Sequence, residues 1–205
     1  MKKYRLLFAI PILIGGLVIA YHSISKPKKP QPKFVHKEAK ERFTSDQAFH
    51  TMMDVLTHKR CVNCHPADKH PRQGEDSHKH LFGIQRGKNN FGVEAVNCNT
   101  CHQDSNNNYS GVPGAPEWAL APESMAWQGL SRIEIAKSMM DRSKNGNRSP
   151  EDIMHHLTEH ELVLWAFEPG VNAEGIPREK PPVSKEDYIA AVKLWIEEGA
   201  IIPEE

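Results

Sequence analysis

The sequence predicts a mostly α-helical, loop-rich domain, and three observations carry that prediction. Apolar residues recur at helical spacing in residues 44–58, 131–141, 149–167 and 184–198. Signals for strands are weak throughout. Residues 66–97 are rich in Gly, Pro, Asn and His and hold no sustained period, which argues loop. At 205 residues, 39% of them hydrophobic, the chain has room for one ordinary domain, and its apolar content is low for a packed globule. The 26 basic and 26 acidic residues cancel, so nothing suggests an electrostatic nucleic-acid binder.

The chain opens MKKYRLLFAIPILIGGLVIAYHSIS, with Lys2, Lys3 and Arg5 ahead of an apolar run from Leu6 to Tyr21. At 1.5 Å per residue that run is about 24 Å long, slightly under the usual membrane span. Residues 1–25 therefore read as a signal-anchor or signal peptide; no small-x-small cleavage site follows, which favours an anchor. Either way the bulk of the chain is expected outside the cytoplasm. Residues 26–43 begin KPKKPQPK and read as a solvated Pro/Lys stalk, leaving residues 44–205 as the domain.

Within the domain, Thr44, Ser45 or Asp46 can cap a helix whose stripe is Phe49, Met52, Met53 and Leu56. A second helix is expected over residues 131–141, then a turn at SKNGNR, then one continuous helix over residues 149–167. That third helix has Ser149 as cap, Pro150 at its first position and acidic residues in its first turn. The last runs from about Ser184 to Glu198, with Ile189, Val192 and Ile196 on one face and Gly199 placed to stop it.

All four cysteines lie in two pentapeptides, CVNCH at residues 61–65 and CNTCH at residues 98–102. Thiols spaced as C-x-x-C can add across the two vinyl groups of one heme, and the histidine that follows is placed to ligate its iron. With 12 histidines in 205 residues, a histidine follows a given C-x-x-C by chance about once in 17, and twice about once in 300. A zinc ribbon would leave both adjacent histidines unexplained, and export alone does not call for paired C-x-x-C motifs. The expectation is two covalent c-type hemes, on Cys61 and Cys64 with His65 and on Cys98 and Cys101 with His102. Two such apolar bodies would also supply the interior that the long loop lacks, in a domain that folds properly only around them.

The second axial positions have several candidates. Ile153, His156, Leu157, His160 and Leu164 share one helical stripe, so His156 or His160 points inward. His80 lies in SHKHLF, just ahead of Leu81 and Phe82, and His58 stands just before Cys61. Met125, in PESMAW, is the other candidate, and thioether ligation would raise that heme's potential. His50, His70, His78 and His155 complete the pool. HLTEH at residues 156–160 also fits the inverted zinc-protease pattern, with Glu159 as base, but no third ligand stands at a diagnostic position. Arg72 and Arg86 are candidates to pair with heme propionates, and PEWALAP and Trp195 to pack over heme edges or neighbouring helices.

The runs RCVNCHP, PRQGEDSHKH, IQRG, CNTCHQ, PGAPEWALAPESMAWQGLS and LVLWAFEPG resemble a group of small exported bacterial diheme cytochromes c. Some of that group carry the label of a subunit accompanying isoquinoline 1-oxidoreductase. The likeness covers about residues 56–170 and is most specific in PGAPEWALAP. It implies that His58, His80 and His156 fall on histidine positions of the pattern, and that the redox partner is a molybdenum hydroxylase-type or other periplasmic oxidoreductase. A looser similarity exists to the small diheme subunit of periplasmic nitrate reductase, which lacks the PGAP segment. Together these readings predict a periplasmic electron carrier, tethered to the inner membrane through its N-terminal helix. The alternative is a heme enzyme or sensor with one open axial position.

Overall fold

Capping chemistry fixes where the helices start. The computed structural model describes residues 39–204, all within one compact unit. Helix α1 (Ser45–Leu56) begins at Thr44, whose hydroxyl accepts from the Gln47 backbone while the Gln47 side chain returns the bond. Helix α2 (Lys59–Val62) is a single turn that carries Cys61 and is capped by His58. Ser131 and Ser149 make the same reciprocal box at the starts of α3 (Arg132–Met140) and α4 (Pro150–Glu159), with Glu134 and Asp152 as partners. Ser184 caps α6 (Lys185–Glu197), and Gly199, at φ 92°, turns the chain out of it.

The core forms where α1 and α4 pack against α6. Phe49, Met52, Met53 and Leu56 of α1 meet Tyr188, Ala191, Val192 and Trp195 of α6, all of them fully buried. The Trp195 indole donates to the Ile201 carbonyl at 2.7 Å, which satisfies its polar edge and ties down the C-terminal residues. Ile135 and Met139 of α3 and Ile153 and Leu157 of α4 complete the cluster. The helices thus build a peptide core of their own.

Regular structure is almost all helical, as expected. The loop of residues 66–97 nevertheless holds two minimal antiparallel hairpins. β1 (Arg72–Gln73) pairs with β2 (His78–Lys79) in the register Arg72 to Lys79, and β3 (Gly92–Val93) with β4 (Val96–Asn97) in the register Gly92 to Asn97. Two-residue strands are too short to show a period, which is why the sequence reads as loop. Their value is positional: His80 follows β2 directly and Cys98 follows β4.

Two boundaries differ from expectation. The helix expected over residues 149–167 stops at Glu159, because His160 is extended (ψ 123°); α5 (Glu161–Leu164) and a 3-10 turn, Trp165–Phe167, follow. The His160 ring is bonded to Glu117 at 3.0 Å, a tertiary tie that no helical period announces. The folded region also begins before residue 44. Residues 39–42 are helical, Ala39 is buried, and the Phe43 amide donates to the Ala39 carbonyl. The anchor expected at residues 1–25, and the stalk up to residue 38, lie outside the described residues. Among the described residues no helix is long and apolar enough to cross a membrane.

Phe49→Ala removes an aromatic ring that is 1% exposed and tilted against Trp195 at 6.3 Å. The expected cost is about 3–5 kcal/mol of stability, read as a lowered midpoint in chemical denaturation.

Candidate functional site

Each pentapeptide begins in a turn of helix, and each presents its histidine against one segment, residues 113–128. In the first, α2 runs into a turn in which the Cys64 amide donates to Cys61 and the His65 amide to Val62. In the second, a 3-10 turn spans Cys98–Thr100, and the His102 amide donates to Cys98. The His65 Nδ1–H donates to the Met125 carbonyl at 2.6 Å, and the His102 Nδ1–H donates to the Pro113 carbonyl at 2.7 Å. Both rings are thereby fixed in one tautomer, with Nε2 left as the free lone pair. Each ring also stacks on an indole, His65 on Trp127 at 3.6 Å and His102 on Trp118 at 4.6 Å, nearly parallel in both cases.

Gly114 makes the second arrangement possible. The chain passes so close behind His102 that a Cβ at Gly114 would lie 2.3 Å from the carbonyl oxygens of Gln103 and Ser105. Asn106 pins the same loop, its amide donating to the Glu168 carbonyl while its oxygen accepts from Gly114 and from the Trp165 indole. These contacts give PGAPEW a structural reason for its small residues.

The ten described histidines fall into two groups. Six lie beside a carboxylate: His50 by Asp46, His58 by Glu179, His70 by Asp68, His78 by Asp76, His155 by Glu159 and His160 by Glu117. The other four, His65, His80, His102 and His156, do not; His80 lies beside His102, and His156 shares a cavity with His65. His80 and His102 have ring centres 6.1 Å apart, and the His80 Nδ1–H donates to the Leu81 carbonyl, so its Nε2 is free as well. Two metal–imidazole bonds of about 2 Å each, together with the two half-rings, span about 6 Å. His65 and His156 line the same cavity, and each is held neutral, pushed down to about 4 chiefly by burial. A neutral ring is the form that ligates a metal.

That cavity is walled by Cys61, Cys64, Leu120, Met139, Ile153 and Leu157 among others, and holds about 1120 Å³ of space outside the protein atoms, its solvent mouth included. Its lining is mostly apolar, the kind of surface that a flat apolar group needs. Burial pushes the Cys61 thiol up to about 12 and the Cys64 thiol up to about 11. Such thiols are poor thiolates, unlike those of a redox-active C-x-x-C pair. All four cysteines are unpaired.

The remaining sequence candidates are occupied otherwise. His58 accepts from the Arg60 amide at Nδ1 and bonds Glu179 through Nε2, so it serves as a helix cap. Met125 lies behind His65, its carbonyl on the ring and its sulfur accepting from Ser138. Glu159 pairs with His155 at the end of α4, and among the described residues no three His, Cys, Asp or Glu side chains gather to hold a bare metal ion. Sequence reasoning nominates PEWALAP, which holds Trp118, for packing over heme edges or helices but misses its stacking on His102, and it misses Trp127 and the two carbonyls altogether.

Comparison with protein-family models, curated proteins and solved structures gives no match to this chain.

Gly114→Ala is expected to destabilise the protein by about 1–3 kcal/mol, because two backbone oxygens must move to admit the methyl group. Chemical denaturation reads this directly.

Proposed function

We propose that the chain is an exported electron-transfer protein carrying two covalent c-type hemes, held by Cys61, Cys64 and His65 and by Cys98, Cys101 and His102. The observation that carries this reading is the division among the histidines. The four without a carboxylate partner are the two motif histidines, His80 beside His102, and His156 in the cavity that His65 lines. His156 is then the second ligand at the first site and His80 at the second. A heme so ligated supplies a one-electron iron couple whose potential depends on its axial ligands and surroundings.

What the residues do follows from their positions. Thioether links at the four cysteines would fix the group to the two loops that carry them. The Met125 and Pro113 carbonyls orient the motif imidazoles and raise their basicity. His156 and His80 would supply a second imidazole to each group, which would leave a substrate no coordination site; electron carriage is the chemistry that such sites would support. Apolar walls at the first site keep water away.

The two sites are neighbours. The Ala121 amide donates to the Cys64 carbonyl at 3.0 Å, the Leu120 amide to Asn90 at 2.9 Å, and the Cys98 amide to Phe91 at 3.0 Å. A short run of backbone hydrogen bonds thus joins one pentapeptide to the other, and an electron arriving at one site has a compact route to the next. The N-terminal segment as read from the sequence would hold this domain at the periplasmic face of a bacterial inner membrane. Its partner in this reading is another redox protein, of the oxidoreductase type that the sequence resemblance implies.

The matured wild-type protein is expected to be low-spin in both oxidation states and to bind no carbon monoxide when reduced. His80→Ala and His156→Ala are each expected to create one carbon monoxide site per protein, and the double variant two, counted by spectral titration. A wild-type protein that binds carbon monoxide stoichiometrically contradicts the carrier reading and favours an enzyme or sensor.

A further inference from the structure

Among the buried cations of the described residues, Arg86 is left without an anion. Arg86 is 5% exposed, and its Nε and Nη2 are buried with no hydrogen-bond partner. Its Nη1 is bonded to the Asn90 side chain at 2.9 Å and to the Ala121 carbonyl. A buried guanidinium with two unsatisfied donors is costly, since neither its charge nor its N–H groups are compensated. The carboxylates that sense its charge, Glu123 and Asp68, do not bond it, and Asp68 is taken by Arg72 at 2.9 Å and by the His70 amide. Arg72, the other arginine that the sequence nominates as an anion partner, already pairs with Asp68 at 2.9 Å and bonds Gln128 at 3.1 Å.

The place of Arg86 identifies the anion. Ala121, which accepts from Arg86, also donates to the Cys64 carbonyl and lines the first cavity. The Arg86 charge reaches the His65 ring as well. Arg86 does not itself line that cavity but is bonded to its wall at Ala121, so a group seated there and attached at Cys61 and Cys64 would lie beside the residue that holds the guanidinium. Resting on the diheme reading above, we infer that Arg86 is a positioning residue that pairs through Nε and Nη2 with a propionate carboxylate of the first-site heme. Nε and Nη2 form one edge of the guanidinium, the edge suited to a two-point bond with a carboxylate. The pairing satisfies both donors at once and sets the Arg86 charge beside the first site.

The test compares the matured wild type with Arg86→Gln and Arg86→Lys by visible-spectrum redox titration at fixed pH. Loss of the cation stabilises the ferric state. For Arg86→Gln the ferric-to-ferrous ratio of one heme is expected to rise about tenfold at a given potential, which is 59 mV for a one-electron couple. The other heme stays unchanged, and Arg86→Lys recovers part of the shift. Unchanged potentials in Arg86→Gln overturn the inference while leaving the diheme reading intact; a wild type without heme absorbance overturns that reading itself. If Arg86→Gln does not mature, a crystal structure of the wild-type holoprotein decides. Arg86 Nε and Nη2 within hydrogen-bond distance of a heme carboxylate supports the pairing, and water, chloride or a protein group there overturns it.

Discussion

Two hydrogen bonds, from the His65 imidazole to the Met125 carbonyl and from the His102 imidazole to the Pro113 carbonyl, set the geometry on which both sites depend. Both acceptors belong to residues 113–128, so one stretch of chain orients the histidines of two pentapeptides that lie far apart in sequence. The same stretch supplies both stacking indoles and the backbone bonds that tie Cys64 to the loop before Cys98. Its composition follows from that role. Proline and small residues let it pass close behind a ring, and Gly114 stands where any side chain would strike two carbonyls.

Energy is divided unevenly across the molecule. The helices α1, α3, α4 and α6 bury a continuous set of apolar side chains and need nothing further for a core. The loops that carry the pentapeptides bury little of their own, and Leu81, Phe82, Val93 and Val96 stand exposed around the second site. Apolar groups gathered on a loop-rich face are unfavourable in water unless something covers them. Under the diheme proposal, covalent cofactors order this half of the domain, while peptide packing orders the other.

Much of this was legible in the sequence, for identifiable reasons. Ser149, Pro150 and the stripe of α6 announce helices because capping and periodicity are local properties. The pentapeptides stand out because their meaning lies in contiguous residues. Apolar neighbours nominate His80 and His156; His80 lies beside His102, and His156 lines the same cavity as His65. His58 shows the limit: sequence nearness to Cys61 makes it a candidate, whereas its ring is spent capping α2 and bonding Glu179. The break at His160, the stacking of Trp118 and Trp127, and the carbonyl acceptors are long-range events between segments with no shared pattern. The unpaired state of Arg86 likewise depends on where every carboxylate ends up. Arg72 and Arg86 look alike in sequence and differ only in whether a partner arrives.

Covalent heme at both pentapeptides is the central claim, and intact mass spectrometry of the full chain expressed with a cytochrome c maturation system tests it most directly. The expected result is a mass increase of two hemes over the processed polypeptide. A chain that gains none, in a system that matures a control cytochrome, contradicts the claim, and a gain of one contradicts it for one of the two pentapeptides.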